Sequence, residues 1–195
     1  MAPTGQPRFV TIAPEMGFDV DLDLRYATAD NLTGSPLYAR PACLLHPEAA
    51  ERLGRAVIRA GALGLRLRVF DAYRPPQTQW ALWRALPDPV FIADPRSGSN
   101  HTRGVAVDLT LAQADGTPLE MGTGFDDMSP QAHHGDDTVS PAAQRNRALL
   151  LGIMAVAGWT HYPAEWWHYQ LPDAHLYPLV DDGALGPRLA ASAQG

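Results

Sequence analysis

The sequence predicts a single domain that combines helices and strands around one hydrophobic core. Its 195 residues are 46% hydrophobic, which allows one sizeable core, and this length favours one domain over two. Apolar residues recur at helical spacing over 47–62 and in the run that follows Ser140. Over 65–70 and 105–111 they instead alternate with other residues, as in a half-buried strand. The two periods together indicate a mixed fold.

The first predicted helix covers residues 47–62, with a proline suited to its first turn and glycines suited to its C-cap. The run 65–70 then alternates apolar and basic residues, which is typical of a strand with one buried face. We expect this strand to carry the segment 71–74 at its carboxyl end. The segment holds an aspartate, a tyrosine and an arginine, so it brings polar chemistry to the end of a buried strand.

A second helix is predicted between the proline pair 75–76 and Pro87, because proline can begin a helix but cannot continue one. Its large apolar residues are interpreted as core: Trp80, Leu82, Trp83 and Leu86. The next segment, 88–100, is rich in Pro, Asp, Ser and Gly. It is therefore predicted to be a loop that lies over the functional site.

In the predicted strand 105–111, alternate residues from Val105 to Leu111 share one apolar face, so Asp108 faces the opposite side among small and polar residues. Ser140 is a good N-cap for a helix that ends near Ala157. The aromatic run 159–171 contains a proline, which favours two short strands around a turn. We assign residues 1–183 to the domain and expect 184–195 to be a frayed tail.

Composition excludes several classes of partner. The chain has 15 basic and 21 acidic residues and a net charge of −6, with no basic stripe, so nucleic acid is not an expected partner. Cys43 is the only cysteine, which rules out an intrachain disulfide and favours a reducing compartment. Neither a signal peptide nor eighteen consecutive apolar residues can be seen, so we expect a cytoplasmic protein without a membrane segment. A homodimer is left open.

Four residues form the pattern of a metallohydrolase site. His101, Asp108 and His168 supply two imidazoles and one carboxylate, which give zinc three ligands and leave its fourth position open. Glu165 lies three residues before His168 and is expected to act as the general base. Strand positions three apart point in opposite directions. We therefore place Glu165 in the turn after Pro163, just before the strand starts.

Arg74 is the expected electrophilic partner of this site. It lies at the end of the strand, where a rigid guanidinium can donate to an oxyanion or a carboxylate; a structural ion pair with Asp71 is the alternative. The pair His133 and His134 is interpreted as structural, with contact to the site as the alternative. The remaining histidines lack ligand spacing and are also interpreted as structural: His46, His161 and His175.

Several ordered motifs resemble those of the D-alanyl-D-alanine dipeptidases. They span most of residues 20–172 and are found at 26–34, 71–75, 99–104, 107–111, 121–126 and 165–169. The resemblance implies a compact α+β fold with a central antiparallel sheet flanked by helices, shared with zinc D,D-carboxypeptidases and the Hedgehog signalling domain. The sequence departs from the family pattern at Asn100, where a small hydroxyl residue is common, and its loop 85–98 looks short. Both differences bear on substrate access.

The resemblance also implies the chemistry. It implies one zinc ion per chain on the three ligands named above, Glu165 as acid and base, and Arg74 as stabiliser of the transition state. It assigns three further residues to a small substrate pocket: Tyr26, Ser99 and Asp126. The implied activity is hydrolysis of D-alanyl-D-alanine to two D-alanines, which links the protein to cell-wall metabolism. Two alternatives stay open: a zinc D,D-carboxypeptidase acting on longer peptidoglycan peptides, and a non-catalytic zinc-containing binding module.

Overall fold

The structure is a computed structural model that describes residues 8–185 and 189–191. These residues form three α-helices, α1 (Pro47–Ala62), α2 (Pro76–Ala85) and α3 (Pro141–Val156). They also form seven strands: β1 (Val10–Thr11), β2 (Val20–Leu22), β3 (Leu44–Leu45), β4 (Leu65–Asp71), β5 (Ala106–Gln113), β6 (Thr160–Tyr162) and β7 (Glu165–Gln170). Among the described residues, none of the helices combines the length and the apolar character needed to cross a bilayer.

The main sheet is mixed, with strand order β2-β4-β5-β7-β6. Three of its four pairings are antiparallel, as expected for a central antiparallel sheet, and the fourth, β2 with β4, is parallel. The reason is the long connection from β2 to β4, which includes α1 and allows the chain to return in the same direction. A small second sheet pairs β1 with β3. The α+β class is confirmed.

The predicted first helix is confirmed at both ends as α1. His46 is its N-cap, and the imidazole Nδ1 accepts a hydrogen bond from the backbone N–H of Glu48 at 3.3 Å. The third helix is confirmed as α3, where the Ser140 hydroxyl accepts from the N–H of Ala143 at 3.0 Å. Both helices pack on the main sheet and on each other. The structural interpretation of His46 is therefore confirmed.

Strand β5 crosses the centre of the molecule. Its predicted apolar face is confirmed, since Val107 and Leu109 are fully buried in the main core. Asp108 points to the opposite side, as predicted, and this side is also shielded from solvent: Asp108 and Thr110 are each only 2% exposed. The strand therefore carries a carboxylate in a setting with little water, where charges must be paired.

The helix α2 differs from its prediction in the side that it buries. Trp80 is 40% exposed rather than part of the core, whereas Thr78 and Gln79 are buried together with Leu82. The apolar spacing misled the prediction because the inner side of α2 includes two polar residues. Of these, Gln79 is buried because its amide has two hydrogen-bond partners beside the site.

Part of the predicted frayed tail is packed against the domain. Leu189 is 8% exposed, and its carbonyl accepts a hydrogen bond from the N–H of Ala39 at 2.8 Å. Ala190 forms a bridge with Tyr38. Within the predicted tail, residues 184–185 end a 3-10 helix that begins at Asp182, and residues 189–191 are packed against the domain, whereas 186–188 and 192–195 lie outside the described residues. Backbone hydrogen bonds of this kind have no signature in side-chain composition.

Candidate active site

Three neighbouring strands bring the polar residues of the site into one row. In the sheet, Asp71 of β4 is directly opposite Asp108 of β5, and Asp108 is directly opposite His168 of β7. His101 comes from the loop that precedes β5. Side chains opposite each other on adjacent strands lie about 5 Å apart, so strand register brings Asp71, Asp108 and His168 together, and the loop adds His101. The predicted set His101, Asp108 and His168 is united in the structure.

The three side chains aim one atom each at a common point. Asp108 Oδ1 lies 3.3 Å from His101 Nε2 and 3.1 Å from His168 Nδ1, and the two nitrogens are 3.2 Å apart. A tetrahedral zinc ion with bonds of about 2.0–2.1 Å places its ligand atoms roughly 3.3 Å from one another. The observed spacing therefore fits zinc with little rearrangement.

The outer nitrogens of both imidazoles are engaged. His101 Nδ1 donates to the carbonyl oxygen of Ala72 at 2.7 Å, and His168 Nε2 donates to Gln170 Oε1 at 3.1 Å. In these tautomers the inner nitrogens carry lone pairs, which face each other and the carboxylate of Asp108. Three acceptors then converge without a donor between them. Such a centre needs a cation, and two nitrogens with one oxygen are a donor set that zinc accepts.

Hydrogen bonding and charge favour the ionised state of this centre. Burial by itself raises the pKa of Asp108, but the charge and hydrogen bonds that His101 and His168 offer when their rings are protonated outweigh burial and hold that pKa below its ordinary value. Burial lowers the pKa of His168, but the hydrogen bond to Asp108 raises it above the ordinary value. The carboxylate is therefore ready to pair with a positive charge.

Glu165 is the first residue of β7, whereas the sequence placed it in the turn before the strand. The pairing of β6 with β7 shifts register after His161, so that Tyr162 is opposite Glu165. A bulge of this kind breaks the strict alternation of side chains. Glu165 Oε2 consequently lies only 3.7 Å from His168 Nδ1, although the two residues are three apart. Burial raises the pKa of Glu165 to about 8.

Arg74 forms the ion pair with Asp71 that the sequence left as one of two alternatives, and it also borders the pocket. Its Nε donates to Asp71 at 2.8 Å, which is the structural ion pair, while Nη1 donates to Gln79 at 3.0 Å and Nη2 to Asp108 at 3.2 Å. The guanidinium also lies over the ring of Tyr26, 4.8 Å from its centroid, and lines the pocket. A guanidinium has five N–H groups, so two of them have no hydrogen-bond partner among the described residues.

The predicted pocket residues Tyr26, Ser99 and Asp126 all line the same cavity, whose volume is about 190 Å³. The Tyr26 hydroxyl lies 3.1 Å from each carboxylate oxygen of Asp126. Burial raises the pKa of Asp126 to about 7, although Arg74 acts to lower it. The Ser99 hydroxyl accepts from the N–H of His101 at 3.2 Å and so supports the turn that carries this histidine.

The loop 88–100 covers the site, as predicted. Residues 89–93 form one wall of the cavity, and the Tyr162 hydroxyl donates to the carbonyl oxygen of Val90 at 2.7 Å. Gln79 Nε2 donates to the carbonyl oxygen of Ala93 at 2.7 Å, so the wall is also held from α2. Three residues of the site were not predicted from the sequence: Tyr162, Gln79 and Gln170. For Gln170 a signal existed, because it follows His168 by two on a strand and therefore shares its face.

The paired histidines of the loop do not reach the cavity. The His134 ring packs edge-on against His161, with centroids 4.9 Å apart, and burial lowers the pKa of His134 to about 4. His133 lies against the ring of Phe91, which belongs to the cavity wall. His175 is exposed. Neither histidine of the pair is among the residues that line the cavity, as the structural interpretation requires.

Known proteins resemble this chain over most of its length. The sequence pattern of the family described as D-ala-D-ala dipeptidase matches residues 7–184. The D-alanyl-D-alanine dipeptidase of Escherichia coli is 48% identical over 164 residues, which cover 84% of this chain and 85% of that protein. Those of Enterococcus faecalis and Streptomyces coelicolor are 34% and 35% identical; the matches cover 82% and 91% of this chain and 89% and 100% of the relatives. This chain therefore belongs to the D-alanyl-D-alanine dipeptidase family of metallopeptidases.

Proposed function

We propose that this protein hydrolyses D-alanyl-D-alanine to two molecules of D-alanine with one zinc ion held by His101, Asp108 and His168. The observation that carries the proposal is the convergence of three acceptor atoms, 3.1–3.3 Å apart, beside a buried carboxyl group in a small cavity. A zinc ion bound there would supply a Lewis acid and lower the pKa of a water molecule.

Glu165 is the proposed general base and acid. Its carboxyl group lies within 3.7 Å of the inner nitrogen of His168, at the edge of the same cavity. Because burial raises its pKa to about 8, the group can both take up and release a proton near neutral pH. In the proposed reaction one carboxylate oxygen accepts a proton from the attacking water. The same group then returns that proton to the amine nitrogen as the amide bond breaks.

Arg74 is the proposed donor to the oxyanion that develops on the scissile carbonyl. Three of its N–H groups are held by Asp71, Gln79 and Asp108, which fix the plane of the guanidinium before the substrate arrives. Its two other N–H groups are available to a substrate oxygen. A donor that is held in place before the reaction need not reorganise as the negative charge develops. The free energy of its hydrogen bond can therefore stabilise the transition state in full.

Asp126 and Tyr26 are the proposed binding site for the free amino group of the dipeptide. Burial raises the pKa of Asp126 to about 7, so an incoming ammonium group would stabilise its charged form. Ser99 lines the same cavity and is proposed to contact the substrate backbone. A longer peptide has an amide at the corresponding position and cannot offer this positive charge. The arrangement therefore favours a dipeptide over a peptidoglycan stem.

The size of the cavity supports the same choice. Its volume of about 190 Å³ is below the range of roughly 300–1,000 Å³ that is common for sites of drug-sized ligands. The wall formed by residues 89–93 is fastened to Tyr162 and Gln79, which restricts the room for a longer chain. The alternative of a non-catalytic zinc-containing module is disfavoured because Glu165 and Arg74 both border the ligand set.

The proposal is tested by the kinetics of amine release from D,D-, L,D- and L,L-dipeptides and from a pentapeptide stem that ends in D-alanyl-D-alanine, with zinc analysis of the same sample. We expect kcat/KM to be highest for D-alanyl-D-alanine. A preference for the pentapeptide would instead identify a D,D-carboxypeptidase. A protein loaded with zinc that cleaves none of the D,D-dipeptides would identify a binding module.

A further inference from the structure

We infer that Gln170, held by Asn100, is a positioning residue that sets the tautomer of His168 and so directs the lone pair of Nδ1 toward the metal. The inference rests on the proposed zinc site and adds to it two residues that are not ligands. The two histidines of the site are oriented by different acceptors, a backbone carbonyl for His101 and a side-chain amide for His168. The inference concerns the second of these.

The geometry follows from the strand. His168 and Gln170 are two residues apart on β7, so their side chains share one face. Gln170 Oε1 lies 3.1 Å from His168 Nε2 and accepts a second hydrogen bond, from Asn100 Nδ2, at 2.8 Å. Because Asn100 donates to Gln170, the oxygen of the glutamine amide, and not its NH₂ group, is turned toward the imidazole.

This arrangement decides which ring nitrogen carries the proton. An acceptor at Nε2 requires Nε2–H, which leaves a lone pair on Nδ1 of a neutral ring. Without that acceptor, the proton would be drawn to Nδ1, because Asp108 Oδ1 lies 3.1 Å from this nitrogen and is a strong acceptor. A proton on Nδ1 would occupy the direction that the metal needs. Gln170 therefore works against a competing hydrogen bond inside the site.

The tautomer of His101 is set without a second side chain. His101 Nδ1 donates to the backbone carbonyl of Ala72 at 2.7 Å, and a backbone carbonyl cannot turn a donor toward the ring. The amide of Gln170 can turn over and present NH₂ instead. The hydrogen bond from Asn100 Nδ2 to Gln170 Oε1 opposes this turn, which gives a function to the residue at which the sequence departs from the family pattern.

The first test is the zinc dissociation constant, measured by competition with a chromophoric chelator. Gln170→Met keeps the length of the side chain but removes the acceptor, and we expect it to weaken zinc binding about 10-fold to 100-fold, the usual effect of losing such a partner. Gln170→Glu keeps an acceptor and should bind zinc at least as tightly as the unaltered protein. The matched control is Gln113→Met at the exposed end of β5, which should leave the constant unchanged.

A second variant separates hydrogen-bond direction from charge. Asn100→Asp replaces the donor with an acceptor, so the Gln170 amide should turn its NH₂ group toward the carboxylate and toward His168 Nε2. Zinc binding should then weaken, although an added negative charge near a cation would strengthen it on Coulombic grounds alone. In the metal-free protein, ring ¹⁵N chemical shifts should show the proton of neutral His168 on Nε2 for the unaltered chain and for Gln170→Glu, and on Nδ1 for Gln170→Met.

The outcomes separate this inference from the proposed function. Equal zinc affinities of Gln170→Met and the unaltered protein would overturn the inference alone, as would tighter binding by Asn100→Asp. A higher KM for Gln170→Met with unchanged zinc affinity would also overturn it, because that result identifies a substrate contact. Failure of the unaltered protein to bind zinc would overturn the proposed function and this inference with it.

Discussion

The buried carboxyl group of Asp126 should lower the stability of the protein as pH rises, and Asp126→Asn should remove this effect. Burial raises the pKa of Asp126 from 3.8 to about 7 in the folded protein. Since the folded-state pKa is above the unfolded value, the stabilising contribution is complete below pH 3.8 and is lost as pH rises through about 7. Asparagine suits the comparison because it tolerates the left-handed backbone of this position, where φ is 58°.

The expected magnitude follows from the pKa. Each pKa unit corresponds to about 1.4 kcal/mol, so a rise of about three units lowers the unfolding free energy by about 4 kcal/mol once the carboxyl group is ionised in both states. This full loss is reached only above about pH 8. About 1.5 kcal/mol of it is already present at pH 5, where the unfolded carboxyl is ionised and the folded one is not. The unfolding free energy of Asp126→Asn minus that of the unaltered protein should therefore increase by about 3 kcal/mol between pH 5 and pH 9.

The assay is urea unfolding of both proteins across this pH range in the presence of a chelator, because zinc binding is itself pH-dependent. The variant should also raise the KM for D-alanyl-D-alanine, since the proposed partner of the substrate ammonium loses its charge. A pH-independent offset between the two proteins would come from the new amide and is not diagnostic. A difference that stays flat from pH 5 to pH 9 would refute the account of Asp126.

Three further predictions concern the base, the arginine and the turn of the site. Glu165→Gln should keep one zinc ion per chain but lower turnover on the order of 10²-fold to 10⁴-fold, measured by D-alanine release and metal analysis; near-normal turnover would exclude Glu165 as base. Arg74→Lys should also retain zinc and lower kcat on the order of 10²-fold to 10³-fold, because lysine lacks the fork that contacts Asp71; a change confined to KM would contradict the oxyanion role. Gly104→Ala should lower the unfolding free energy by about 2 kcal/mol or more, because φ is +68° and the new Cβ would meet the ring of Phe9. Its control is Gly61→Ala, at a helical position with no neighbouring atom within 4 Å, which should be neutral or stabilising in thermal unfolding.

Asp108, one of the three proposed zinc ligands, could be oriented from the sequence because local periodicity decides which face of the strand it occupies. Alternation over 105–111 placed Asp108 opposite the core face, and the structure pairs it directly with His168. Helix α1 was predicted to its ends because a proline, an apolar spacing and glycines all indicate the same limits. These signals act within a few residues, so no long-range contact was needed to interpret them.

The remaining features depend on pairings that a single sequence does not display. Glu165 faces the cavity because β6 and β7 shift register, and a bulge has no composition of its own. Strand β2 is three residues long, too short to show a period of two, so its parallel pairing could not be foreseen. Gln79 is buried on account of Arg74 and Ala93, so its burial depends on partners distant in the sequence. Trp80 was wrongly predicted to lie in the core because the burial of its neighbour Gln79 turns the other side of the helix toward solvent.

The most direct test of the proposed mechanism is titration of the metal-free protein with zinc while D-alanine release from D-alanyl-D-alanine is followed. We expect activity to rise linearly and to stop rising at one zinc ion per chain, and we expect Asp108→Asn to bind zinc more weakly and to shift the curve to higher zinc concentration. Full activity in the metal-free protein would contradict the account. So would a protein that holds one zinc ion per chain and releases no D-alanine.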